Sequence, residues 1–191
     1  LGMLGNFGNF IAYAVMGIPS GILLQRVGYK KTALIAVAIG FIGVGIQFLS
    51  GHSSPEMAFA VYLIGAFVAC FSMCLLNTVV NPMLNKLGGE GNKGNQLIQA
   101  GGSFNSVMAT ITPMFVGILI AGSIEKATIS QIFPVMYTAM AVFAFAFFVL
   151  LFVQIPEPNA NAATEPIGKL MKGALKFRHF ILGAIAIFVY V

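Results

Sequence analysis

Charged side chains in this chain occur only in clusters, separated by long runs that carry none. Lys, Arg and Glu fall at Arg26, Lys30 and Lys31; at Glu56; at Lys86, Glu90 and Lys93; at Glu125 and Lys126; and at Glu157, Glu165, Lys169, Lys172, Lys176 and Arg178. The charge-free runs are 1–25, 32–55, 57–85, 94–124, 127–156 and 179–191. A bilayer core about 30 Å thick needs roughly 20 apolar residues of helix, each rising about 1.5 Å. The first five runs are long enough to cross, and the sixth ends with the chain. A membrane β-barrel would show segments of about ten residues with alternating polarity, and these runs are continuous. In hydrocarbon every backbone polar group must be satisfied within the span, which leaves helices. The expected fold class is all-α, a polytopic membrane helix bundle.

Composition excludes the soluble alternatives. Of 191 residues, 59% are hydrophobic and 8% charged, with no Asp, where a soluble domain has about 25% charged residues. A soluble enzyme, a disordered chain and a nucleic-acid binder all need more charge or less apolar surface. Lipid is the expected surrounding, and nucleic acid is not an expected partner.

Lys and Arg sort by alternate loops. Nine of the ten lie in the first, third and fifth loops, and Lys126 is the exception. The positive-inside rule therefore puts residues 25–31, 86–96 and 156–178 in the cytoplasm. Leu1 is not an initiator Met, and residues 179–191 run into a span without a stop. The expectation is an internal fragment of a larger protein: a bundle at 1–155, a cytoplasmic link at 156–176 and the start of another helix at 177–191. Pro and Gly at Gly51–Pro55 and Ile155–Asn159 mark turns.

Three of the spans carry polar stripes. Asn6, Asn9, Tyr13 and Ser20 share a helical face in the first; Cys70, Cys74, Asn77, Asn81 and Asn85 recur every three to four residues in the third. Gln96, Gln99, Ser103, Ser106 and Thr110 do the same in the fourth, with Asn105 beside them. An unpartnered amide in hydrocarbon costs roughly 2–7 kcal/mol. Hydrogen-bond glue between helices accounts for any one of these residues. Three stripes together also fit a hydrated cavity that offers neutral donors and acceptors to an uncharged polar solute such as a sugar. Gly17 with Gly21, and Ala36 with Gly40 and Gly43, are small-residue pairs that let helices approach. Pro19, Pro82, Pro113 and Pro134 permit kinks. Cys70, Cys74, His52 and His179 show no metal-ligand or catalytic spacing, so neither an enzyme, a cofactor nor a metal is expected.

Residues Gly21-Ile-Leu-Leu-Gln25-Arg26-Val-Gly28-Tyr29-Lys30-Lys31 resemble the signature between the second and third helices of the major facilitator superfamily. Gly21, Arg26, Gly28 and Lys30 keep the pattern as a cytoplasmic gating signature, and Gln25 stands where an acidic residue is usual. The resemblance implies helices two to six and the start of seven, a partial major facilitator fold lacking helix one. A narrower similarity, to the fucose, glucose and galactose permeases, is carried by Ile18–Leu23, Asn77–Pro82, Leu87-Gly88 and Phe104–Ser106. It implies that Asn105 contacts a sugar and that position 77, an acidic site in that sugar:proton symporter group, is here a neutral Asn. A glutamine of that group is Gly102.

The resulting expectation is a secondary transporter of a bacterial inner (plasma) membrane, moving a small polar solute, a sugar first among them, by alternating access. Asn77, Asn81, Gln99 and Asn105 would line the path, with Asn9 and Tyr13. Partners would be the solute, membrane lipid and the missing remainder of the transporter, with proton coupling left open by Asn77. A non-transporting subunit or sensor, and a drug or metabolite exporter, are the alternatives.

Overall fold

The computed structural model describes residues 2–89, 91–120, 129–155, 157, 173 and 175–190. Five helices account for most of them: α1 (Gly2–Ser50), α2 (Pro55–Leu87), α3 (Lys93–Ile120), α4 (Ile129–Phe152) and α5 (Arg178–Tyr190). Four of these helices are long and apolar enough to cross a membrane. The chain forms two compact units, Leu1–Pro158 and Asn159–Val191, and α5 belongs to the second. The expected link at 156–176 lies mostly outside the described residues.

The first two expected spans are the two limbs of α1. Gly28 interrupts the helix with φ 84° and ψ 177°, a left-handed conformation that glycine adopts without steric cost. The expected six-residue loop is thus one residue wide, and Arg26, Lys30 and Lys31 sit on helix ends. Residues 2–27 and 29–50 make limbs of roughly 39 and 33 Å at about 1.5 Å per residue, each enough to cross.

Contacts give the directions of the helices. Gly43 abuts Ala69, Gly65 abuts Gln47, and Gly40 abuts Ser72, so the second limb and α2 are antiparallel. In the first limb Tyr13 meets Asn77 and Ser20 meets Thr78, so that limb runs parallel to α2. The two limbs are therefore antiparallel, folded back at Gly28. The second limb also meets α4 in antiparallel fashion, through Gly40 with Phe143 and Phe48 with Phe133. A tight turn through Gly88 returns the chain from α2 into α3, where a Cβ at Gly88 would collide with the backbone of Gly94.

Packing is closest where glycines sit. A Cβ on Gly43 would lie 2.6 Å from the Ala69 nitrogen, and one on Gly65 would lie 2.7 Å from the Gln47 nitrogen. Ala36, Ser72, Leu75 and Val79 are buried around this seam. The other small-residue pair behaves differently, and the expectation of a close approach there is corrected. A Cβ on Gly17 or Gly21 meets nothing within 4 Å, because those glycines face away from α2 while Ala12 and Ser20 face the interior.

Candidate functional site

The side chains proposed to line a solute path divide by environment. Ser20 is fully buried; its Oγ donates to Gly17 O at 3.0 Å and lies 3.0 Å from Thr78 Oγ1. Thr78 Oγ1 in turn donates to Cys74 O at 2.9 Å. Two hydroxyl protons serve three contacts, so one is shared. This part of the first and third stripes is interhelical glue. Cys74 is buried beside it, and both cysteines are free thiols.

One turn further round, the picture changes. Asn77 Nδ2 donates to Tyr13 Oη at 2.5 Å, joining two of the expected site residues across the parallel helices. Tyr13 is half-buried and Asn77 exposed. Asn9, one turn before Tyr13, is half-buried, and its Oδ1 is shielded without a hydrogen-bond partner among the described residues. A buried acceptor left unpaired costs about 1–3 kcal/mol, so Asn9 is available to a donor brought by a solute or by a neighbouring helix. Asn81 is exposed one turn beyond Asn77, next to Pro82. Asn77 and Asn81 therefore occupy the side of α2 away from Leu75 and Val79. The side chain of Asn6 lies outside the described residues.

α3 is almost bare. Gly94 and Ile120 are its buried residues, while Gln99 and Asn105 are exposed. The hydroxyls of its stripe bond to their own helix: Ser103 to Gln99 O, Ser106 to Gly102 O and Thr110 to Ser106 O, at 3.0–3.1 Å. Such i to i−4 bonds satisfy a hydroxyl with no neighbour present, so these hydroxyls do not need a partner helix. The side-chain amides of Gln99 and Asn105 make no hydrogen bond among the described residues. Leu84 Cδ1 would lie 3.1 Å from a Cβ on Gly101. From that contact the antiparallel register sets Asn105, one turn on, level with Val80 and Asn81. Gln99 falls toward the Lys86 end instead.

The signature residues meet at that same end. The Glu157 carboxylate accepts the backbone N–H of Tyr29 through Oε2 and of Lys30 through Oε1, each at 2.8 Å. An anion at the first turn of the second limb completes the unpaired N–H groups there and opposes the helix dipole. Lys30 Nζ donates to Leu151 O at 2.8 Å, and Thr32 Oγ1 to Gly28 O at 2.6 Å. The Lys86 ammonium stands 5.5 Å over the Tyr29 ring, within the range of a cation–π attraction. Tyr29, Ala33 and Val79 form a buried cluster beneath, with Leu24, Met83, Leu150 and Ile155 against it. A Cβ on Gly28 would collide with the Glu157 carboxylate, so the glycine is required twice, by its φ and by this contact. Arg26 is exposed and Gly21 half-buried. In the sequence Glu157 is one charge of the 156–176 link, and the available signal for its role is Gln25, an amide where the loop signature has its acid.

Comparison with known proteins places these features. The profile of the Major Facilitator Superfamily matches residues 2–191. A glucose/galactose transporter of Brucella abortus is 29% identical over 195 residues, covering 99% of this chain and 46% of that protein. An L-fucose-proton symporter of Escherichia coli is 26% identical over 106 residues, covering 56% of this chain and 23% of that protein. The crystal structure of the Escherichia coli fucose:proton symporter superposes with a TM-score of 0.75 at 16% identity, covering 92% of this chain and 48% of that one. The chain spans about half the length of the glucose/galactose relative and of the solved structure.

Proposed function

The chain belongs to the Major Facilitator Superfamily, and from that premise we propose that it is part of a secondary active transporter that carries a sugar across a bacterial inner membrane. Its relatives include proteins named as glucose/galactose transporters and L-fucose-proton symporters, which supports a sugar as the solute and alternating access as the mechanism. The observation that carries the reading is the open polar side of α2. Asn77, bonded to Tyr13, and Asn81 stand there exposed, with Asn105 of α3 about level with Asn81. Amides and a phenol give paired donors and acceptors that suit sugar hydroxyls, and the absence of a carboxylate from this set suits an uncharged solute.

In this reading Asn77 and Tyr13 form a prealigned donor and acceptor pair, Asn81 and Asn105 complete the wall, and Asn9 offers its unpaired oxygen. Gln99 lies nearer the mouth. Gly21, Arg26, Gly28 and Lys30 form the cytoplasmic hinge region, where Glu157 clamps the turn. Asn77 places no titratable group at its own position, so any proton coupling rests on residues elsewhere in the transporter. Radiolabelled uptake by the full-length protein over a sugar panel, with and without a pH gradient, tests the proposal. The expected result is saturable uptake of at least one hexose, abolished by Asn105→Ala at normal expression. Uptake unchanged by Asn105→Ala removes that residue from the site, and no uptake of any sugar overturns the reading.

A further inference from the structure

The second limb of α1 is tied to α4 at both ends. At one end Lys30 Nζ reaches Leu151 O; at the other Phe48 packs on Phe133 and Tyr137, with ring centroids 5.2 and 5.0 Å apart. Between the ties the seam opens. Ala38 and Ala144 are too short to meet across it, and Phe41, Ile42, Phe147 and Phe148 border a groove of about 290 Å³. Phe143 also lines it, its ring lying over Gly40, where a Cβ would collide with it. The lining is apolar throughout, so water has no polar partner there and the groove suits hydrocarbon.

Charge stands at the mouth of this groove. Lys31, Ile35, Ala38 and Ile42 step by four, three and four and share one face of the limb. Lys31 is exposed, and seven residues separate it from Ala38, about 10 Å along the axis. Arg26 and Lys30 lie beside it, and Glu157, the carboxylate found there, already accepts two backbone N–H groups. The rim is therefore in positive surplus about two turns from an apolar slot. A Lys ammonium at a membrane boundary is a point-charge binder of phosphate and draws anionic headgroups.

We propose that this groove holds one acyl chain of an anionic phospholipid whose phosphate is met by Lys31. The occupant is set by the two observations together: the slot takes hydrocarbon, and the rim selects a net negative headgroup over a zwitterionic one. None of the residues proposed for the solute path lines this groove, so failure of this proposal leaves the transport reading untouched.

Native mass spectrometry of the full-length protein in mild detergent tests it, titrating phosphatidylglycerol and, separately, phosphatidylcholine with matched chains. The expected result is one tightly retained phosphatidylglycerol, preferred over phosphatidylcholine by about fivefold, the worth of one Lys near an anionic surface. Lys31→Gln, a surface change that leaves the fold intact, should erase the preference. Ala144→Phe, which fills the slot, should lower occupancy by both lipids. Lys93→Gln, a basic residue away from the groove, should behave as the parent. Equal binding of the two lipids by the parent protein, or an undiminished preference in Lys31→Gln, overturns the proposal.

Discussion

The two sides of α2 are built on different rules. Toward the second limb of α1 the helix presents Ser72, Leu75 and Val79, all buried, against glycines that bring the backbones nearly into contact. On the opposite side Asn77 and Asn81 stand exposed, with Asn77 bonded to Tyr13. The packed side gains its stability from dispersion between close surfaces, which is the main attraction between helices in lipid. The open side gives up packing and keeps amides that hydrocarbon would penalise by several kcal/mol. A membrane protein retains such a side where something polar comes to it. Substitutions along α2 should therefore fall into two groups, stability losses on one side and transport losses on the other.

The largest stability loss is expected on the packed side. Gly43→Leu forces a side chain into the Ala69 backbone, and overpacking against an unyielding neighbour costs about 3 kcal/mol or more; thermal unfolding in detergent should show little folded protein. Gly28→Ala comes next, combining a positive φ with the Glu157 contact, for about 1–3 kcal/mol. Glu157→Gln keeps the shape but turns one of the two accepting oxygens into an NH2 that faces a backbone N–H. One bond is lost and the other becomes neutral, so stability should fall by about 1–3 kcal/mol. Thr78→Val removes the link to Ser20 at about 0.6–1 kcal/mol. Asn81→Ala, on the open side, should move stability by less than about 0.5 kcal/mol while reducing sugar uptake. A large stability loss at Asn81 would break the division between the two sides.

Much of this architecture is legible in the charge clusters, because lipid leaves a chain few options. The runs 57–85 and 127–156 become α2 and α4 within a few residues, and Gly28 marks the fold-back. The choice between glycine pairs is not legible: Gly17 with Gly21 and Gly40 with Gly43 look alike in sequence, yet only the second pair meets a neighbour. Spacing gives the face of a helix without naming what covers it. Ser103, Ser106 and Thr110 show a related limit of pattern, since each hydroxyl donates within its own helix and the stripe alone does not say what else it meets. Glu157 escapes because its partners lie 127 and 128 residues away, where local pattern carries no information. Spacing and resemblance single out Asn77, Asn81 and Asn105 as candidates, while the bond from Asn77 to Tyr13 needs the packing of two helices to appear.

Accessibility of single cysteines in the full-length protein, in native membranes and with Cys70 and Cys74 replaced by Ala, separates the two sides of α2 most directly. Asn77→Cys, Asn81→Cys and Asn105→Cys should react with a membrane-impermeant, water-soluble thiol reagent and be protected by a transported sugar, while Ser72→Cys stays unlabelled. Failure of the three asparagine positions to react, with labelling no greater than at Ser72, would mean that no water reaches this side and would contradict the account.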